Sequence, residues 1–150
     1  MTAFADSSAI VKLYADEDGS EVVRSWPGPV LMAMVTSTEV AAALWRKHRM
    51  GELSAADARL LAEAAHHDVA SFTATAELLP VVLTPAILDR AAAVVARHPL
   101  RAYDAVQLST AIEVREVAPV QEFLAFDRAL CSAAAAEGFD VPFEEWPVGP

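Results

Sequence analysis

The sequence predicts an α/β architecture: a central, mostly parallel sheet of four to five strands with helices packed around it. Three observations carry that expectation. Short apolar runs alternate with helical patterns along the whole chain. One of these runs, Val30-Leu31-Met32-Ala33-Met34-Val35, is apolar without interruption, as a strand covered on both faces should be. Finally, 150 residues with 55% hydrophobic and 21% charged side chains suit a single domain, residues 1–150, with a sizeable core.

Each element follows from local signals. Thr2-Ala3-Phe4-Ala5 reads as a strand closed by Asp6. Ser7 and Ser8 are of the helix-capping type, and Ile10, Val11 and Tyr14 then recur at helical spacing. The acidic turn Asp16-Glu17-Asp18-Gly19 breaks that helix, Ser20 opens another as far as Trp26, and Pro27-Gly28-Pro29 is a loop. The run from Val30 to Val35 is the second strand. Thr36-Ser37-Thr38-Glu39 begins a helix that reaches Arg49 before Gly51 stops it. Ser54 caps a long helix, with Ala58, Leu61, Ala62 and Ala65 on one face, that ends near Asp68. From Val69 to Leu79, Thr and Phe dilute the helical pattern and the assignment stays open.

Pro80 to Leu83 is a short strand. Thr84-Pro85 then places a cap and a first-turn proline at the head of a helix to Arg97, ended by His98-Pro99. A helix from Ala102 to about Val117 carries Asp104 in its first turn. After Pro119, Phe123 to Phe126 form a strand closed by Asp127, and a helix runs on to Glu137 with Gly138 as its cap. Phe139-Asp140-Val141 makes a last short strand, and Pro142 onward is tail.

Charge narrows the choice of partners. The 21 Asp and Glu against 11 Lys and Arg give a net charge of −10 and a sequence pI near 4.7. Holding nucleic acid by bulk phosphate neutralisation needs a basic footprint, and so does docking on an anionic membrane. Cys131 stands alone, which excludes an intrachain disulfide and a multi-cysteine zinc site and suggests a small buried side chain. No charged segment precedes an apolar signal-like region. The longest uncharged stretch, Ser25 to Thr38, is broken by Pro27, Gly28 and Pro29 and is too short to span a bilayer. A cytoplasmic protein with no membrane association is expected.

Four acids fall where strands end or helices begin: Asp6, Glu39, Asp104 and Asp127. Each has a plain structural explanation, because acids are favoured at helix N-termini. Asp is nevertheless depleted in strands, yet Asp6 and Asp127 follow apolar runs directly. In a parallel sheet all four belong to the edge where such folds bind ligands, beyond the carboxyl ends of the strands. Clustered carboxylates repel one another, and a hard divalent cation resolves the conflict. Mg²⁺ or Mn²⁺ held this way activates water and offsets charge developing at a phosphorus. Zinc is a poorer match, since His48, His66, His67 and His98 form no HExxH pattern.

The residues around these acids resemble the motifs of PIN-domain nucleases. Asp6-Ser7-Ser8-Ala9-Ile10-Val11-Lys12-Leu13-Tyr14 is similar to the opening motif, and Thr36-Ser37-Thr38-Glu39-Val40-Ala41-Ala42-Ala43-Leu44 to the second. Arg101-Ala102-Tyr103-Asp104-Ala105-Val106-Gln107-Leu108 is similar to the third. Phe126-Asp127-Arg128-Ala129-Leu130, with Gly138-Phe139 downstream, is similar to the fourth. The motifs stand in family order over essentially the whole chain, no acidic position is missing, and the length resembles that of VapC-type toxins of toxin–antitoxin pairs.

The resemblance implies a three-layer PIN-like fold and a metal pocket of Asp6, Glu39, Asp104 and Asp127. Asp6 and Asp104 would contact Mg²⁺ directly (Mn²⁺ substituting), and Glu39 and Asp127 would act through water or orient the attacking water. Ser8, Arg101 and Arg128 are candidate contacts to the metal-bound water or the substrate phosphate. The implied reaction is hydrolysis of an RNA phosphodiester by a metal-activated water. A homodimer and inhibition by a cognate antitoxin protein are implied with it. Trp26, Trp45, Met32 and Met34 are candidates for an apolar groove that takes a partner helix, and Arg46, Lys47, Arg49 and Arg101 for local RNA contacts. Two other readings stand beside this one. A housekeeping PIN ribonuclease in RNA processing would share the fold. A receiver-like phosphoacceptor domain would want an acidic pair on the first strand and a late lysine, whereas the lysines are Lys12 and Lys47.

Overall fold

The computed structural model describes residues 2–70 and 78–143. Within them lie β1 (Thr2–Ala5), α1 (Ser7–Tyr14), α2 (Ser20–Arg24), β2 (Val30–Ala33), α3 (Thr36–Arg49) and α4 (Ala55–Ala70). They are followed by β3 (Leu78–Val81), α5 (Pro85–Arg97), α6 (Ala102–Arg115), β4 (Val120–Leu124) and α7 (Arg128–Ala136). The strands form one sheet in the order β3-β2-β1-β4, and every pairing is parallel. All carboxyl ends therefore share one edge, which is where the acids were expected to gather.

Side-chain alternation along the strands builds a core on each face of the sheet. Phe4 and Phe123 point to one side, where they meet Ile87 and Val94 of α5, Leu108 of α6 and Leu130 of α7. Met32 and Leu124 point to the other, against Ile10 of α1 and Val40 and Leu44 of α3. The result is the expected three layers. Phe123 stacks on Phe4 with centroids 5.6 Å apart and touches Phe139 at 5.7 Å. Each fully buried Phe contributes about 1.5–3 kcal/mol by leaving water. Cys131 is buried in the same core, its thiol donating to the Ala125 carbonyl. Gly51 and Gly138 end α3 and α7 with φ of +79° and +88°, a backbone that L side chains adopt only at a cost.

Several boundaries differ from those the sequence suggests. Asp6, rather than Ser7 or Ser8, caps α1: its side chain accepts from the Ala9 N–H. β2 stops at Ala33, because Val35 is already helical at φ −61°, ψ −20°. β3 lies two residues earlier than Pro80–Leu83 and includes Pro80. It is an edge strand, so the missing N–H need not interrupt the ladder. β4 spans Val120–Leu124, because Ala125 and Phe126 are buried beyond the hydrogen-bonded strand. α2 and α6 end slightly early, at Arg24 and Arg115, and α4 continues to Ala70.

The anticipated fifth strand, Phe139–Val141, is reduced to one parallel bridge between Asp140 and Glu122, while the Phe139 ring goes to the core. The open stretch from Val69 to Leu79 falls partly on residues 71–77, and the tail mostly on residues 144–150, outside the described residues. Among the described residues no helix is long and apolar enough to cross a membrane.

Candidate active site

β1 delivers Asp6 to the carboxyl edge of the sheet one residue past its end, and the Asp6 N–H is bonded to the Leu124 carbonyl at the end of β4 (3.1 Å). Glu39 lies in the first turn of α3 and Asp104 in the first turn of α6. Asp127 follows β4 by three residues and caps α7, accepting from the Leu130 N–H at 2.9 Å. The capping explanation is thus true of Asp6 and Asp127 as well, and leaves each with a second oxygen for other work.

Asp6 is the most unusual of the four. Only 2% exposed, it receives the Ser8 hydroxyl at 2.6 Å and the Ala9 N–H at 3.2 Å, both on Oδ1. Burial pushes its carboxyl up to about 7 despite those hydrogen bonds, and the charge of Glu39 adds to the rise. Burial also raises Glu39. Hydrogen bonds from Gln107 and Ser7 oppose the rise, and the charge of Asp104 reinforces it. Arg101 donates from Nε to Asp104 Oδ2 at 3.1 Å, and it is held above its ordinary value by that bond and by the charges of Asp104, Asp127 and Glu39. All four acids are therefore linked electrostatically, Asp6 and Asp104 through Glu39, and Asp127 through Arg101.

The remaining sequence candidates divide sharply. The Ser8 hydroxyl is engaged in the protein itself, donating to Asp6 and accepting from the Phe126 N–H at 2.9 Å. Arg101 is 83% exposed beside the acids, and Arg128 is exposed at the first position of α7. Arg46, Lys47 and Arg49 lie in the last turn of α3. At 1.5 Å per residue, Arg49 is about 15 Å along the helix from Glu39. Lys47 is moreover paired with Glu17 at 2.7 Å and Glu52 at 3.3 Å. Among the basic residues proposed for RNA contact, Arg101 alone is coupled to the acids. Of the groove candidates, Met32 is core, and Trp26 and Met34 are half-buried against it. Trp45 lines a groove between α3 and α4 with Ala41, Ala62 and His66.

Sequence reasoning missed the groups that hold Glu39. Gln107, fully buried on α6, donates from Nε2 to Glu39 Oε1 at 2.7 Å and to Thr36 Oγ1 at 2.8 Å. Ser7 Oγ donates to Glu39 Oε2 at 3.2 Å. Among the described residues Gln107 Oε1 is buried without a partner, which costs about 1–3 kcal/mol. The available signals were its amide amid the apolar residues of that helix, where Ser109 and Thr110 are also polar, and its place in the third motif.

These oxygens suit a hard cation. A buried carboxylate that is in no ion pair among the described residues is a group that a divalent ion would stabilise. Among the described residues no three acidic, histidine or cysteine side chains converge into a ready-made cage. An ion held there would therefore have to keep much of its water and take only one or two carboxylates directly.

A doubly covered parallel sheet with linked carboxylates at its carboxyl edge defines an α/β protein with a candidate acidic, oxygen-donor active site. The chain belongs to the PIN-domain family and within it is of the VapC type: the PIN domain model matches residues 3–136. It is 33% identical to ribonucleases VapC45 and VapC49 of Mycobacterium tuberculosis over 141 residues, 90% of this chain and of each relative. Its fold is similar to that of M. tuberculosis VapC20, a sarcin–ricin loop cleaving toxin, with a TM-score of 0.63 and 19% identity over 98% of this chain and 100% of the other. A chain of a toxin–antitoxin complex from Klebsiella pneumoniae superimposes with a TM-score of 0.62 and 18% identity, covering 95% and 98%.

Proposed function

We propose that this protein is a metal-dependent endoribonuclease that hydrolyses RNA phosphodiester bonds and acts as the toxin of a toxin–antitoxin pair. The observation that carries the reading is the buried Asp6, in no ion pair among the described residues, coupled to Glu39, and through it to Asp104, at the carboxyl edge of a PIN fold. Asp6 and Asp104 would hold Mg²⁺, with Mn²⁺ as a substitute, and Glu39 and Asp127 would do so through water. When bound, the ion supplies positive charge that lowers the pKa of a water and offsets charge building on the phosphate.

The chain's own groups do the rest. Glu39, fixed through both oxygens, orients the attacking water, and burial raises its affinity for the proton that water gives up. Arg101, exposed and tethered at one nitrogen, presents its remaining N–H groups to a substrate phosphate, with Arg128 as a second donor from α7. Ser8 keeps the Asp6 carboxylate in place. The net charge of −10 disfavours broad phosphate binding, so contact with RNA would be local, with a bound ion supplying positive charge beside the acids.

The names of the relatives support ribonuclease and toxin roles, and the acidic surface and the Trp45 groove suit a basic, partly apolar antitoxin segment. A homodimer in the cytoplasm belongs to the same reading. Purified protein is expected to cleave structured RNA with Mg²⁺ or Mn²⁺, to stop on addition of chelator, and to lose orders of magnitude in rate with Asp104→Asn. Induced expression should arrest growth, and Asp6→Asn should abolish the arrest. Full cleavage in chelator, or by Asp104→Asn, would sink the proposal.

A further inference from the structure

We infer that Gln107 is a positioning residue for the metal pocket, retained for the grip it exerts on Glu39 rather than for the stability of the fold. It sits on α6 one turn beyond Asp104, fully buried among Ala105, Leu108 and Ala111 in a helix whose middle is buried on every side. A Leu or Met there would pack at least as well. The amide instead splits its two hydrogens between Thr36 Oγ1 and Glu39 Oε1, residues 71 and 68 positions away in sequence. With Glu39 ionised, the reverse amide orientation would set two acceptor oxygens against each other, so the donor assignment is fixed by chemistry. The other amide atom, Oε1, is left buried and unpartnered among the described residues. Such an orphan costs stability, here as at Ser109 Oγ on the same helix and at Trp26 Nε1. At Gln107 the cost comes with a grip on a carboxylate, because an uncharged side chain carries two donors on one nitrogen only with the amide oxygen attached.

The consequence is specific to Glu39. Its Oε2 is met by Ser7 of α1 and its Oε1 by Gln107 of α6, so its carboxylate is fixed between two helices that also carry Asp6's neighbour and Asp104. Groups that orient metal-binding carboxylates change metal affinity or activity by about 10–100-fold when removed. The inference rests on the metal reading above, and the experiment separates the two.

Mn²⁺ affinity would be measured by titration calorimetry on RNA-free protein, and thermal midpoints by circular dichroism in metal-free buffer, for the parent, Gln107→Met and Thr36→Val. Gln107→Met, nearly isosteric and without the orphan oxygen, is expected to weaken Mn²⁺ binding at least tenfold and to shift the midpoint by less than about 5 °C. Thr36→Val cuts only the other arm and leaves a buried N–H unpaired, so it should lower the midpoint while keeping Mn²⁺ affinity within about threefold of the parent. A smaller than tenfold loss in Gln107→Met, a larger fall in its midpoint, or an equal loss of affinity in Thr36→Val would overturn the inference. Absence of Mn²⁺ binding by the parent would instead overturn the metal reading itself.

Discussion

Replacing Asp6 by Asn should make the metal-free protein more stable at about pH 8 while destroying its activity. Asp6 is 2% exposed and its carboxyl is pushed from 3.8 to about 7 by burial. Below pH 3.8 the group is protonated whether the chain is folded or not, and it costs nothing. As pH rises through the interval up to about 7, the unfolded chain gives up this proton and the folded chain keeps it, so stability falls. Above pH 7 the loss is complete, at roughly three units of 1.36 kcal/mol, or about 4 kcal/mol. Asn cannot ionise, and its Oδ1 still accepts from Ser8 and Ala9. Burying its new N–H₂ without full partners returns about 1–3 kcal/mol, leaving a net gain of about 2 kcal/mol.

For a chain of this size, that raises the thermal midpoint by about 4–8 °C. At about pH 4 the ionisation cost is almost gone while the amide's penalty remains, so the variant should become the less stable of the two by about 1–2 kcal/mol. Mn²⁺ at a hundred times its dissociation constant adds about 2.7 kcal/mol to the parent and should add far less to the variant, closing or inverting the difference. Thermal melts at the two pH values, with and without Mn²⁺, read all of this. A variant less stable than the parent in metal-free buffer at pH 8, or an equal Mn²⁺ shift in both proteins, would refute the assignment of Asp6 as an uncompensated metal-seeking carboxylate.

Other outcomes follow from the same geometry. Arg101→Ala should raise KM for RNA several-fold and reduce the salt dependence of binding by about one charge, with a midpoint within about 2 °C of the parent because the side chain is 83% exposed. Steady-state kinetics at two ionic strengths check this. Phe123→Ala opens the stack between Phe4 and Phe139 in the fully buried core and should cost about 3–5 kcal/mol, visible in urea melts as a lower midpoint concentration at an unchanged slope.

Much of the architecture was legible because apolar runs and helix caps are local signals. Thr84 and Pro85 open α5 as expected, with the Thr84 side chain accepting from the Ile87 N–H. Strand limits were harder to read, because apolarity reports burial and not pairing. Val35, Ala125 and Phe126 pack into or against the core outside any strand, whereas Pro80 pairs on an edge that tolerates it. The four acids stood out as carboxylates at expected strand ends and helix starts. The groups that hold them did not. Gln107 meets Glu39 only because the fold brings this point of α6 to the first turn of α3, and no spacing in the sequence encodes that meeting. Lys47 looked available for RNA until the fold brought Glu17 to it from 30 residues upstream.

The nature of the ends left on cleaved RNA tests the proposed chemistry most directly. A water oriented by Glu39 beside a metal held by Asp6 and Asp104 should leave 5′-phosphate and 3′-hydroxyl termini, in a reaction that chelator stops and added Mn²⁺ restores. End-labelling and mass spectrometry of the fragments distinguish these from 2′,3′-cyclic phosphates with 5′-hydroxyl partners. The second pair of ends, formed equally well in chelator, would mean that the RNA's own 2′-hydroxyl is the nucleophile and that the four acids are caps and ion pairs alone.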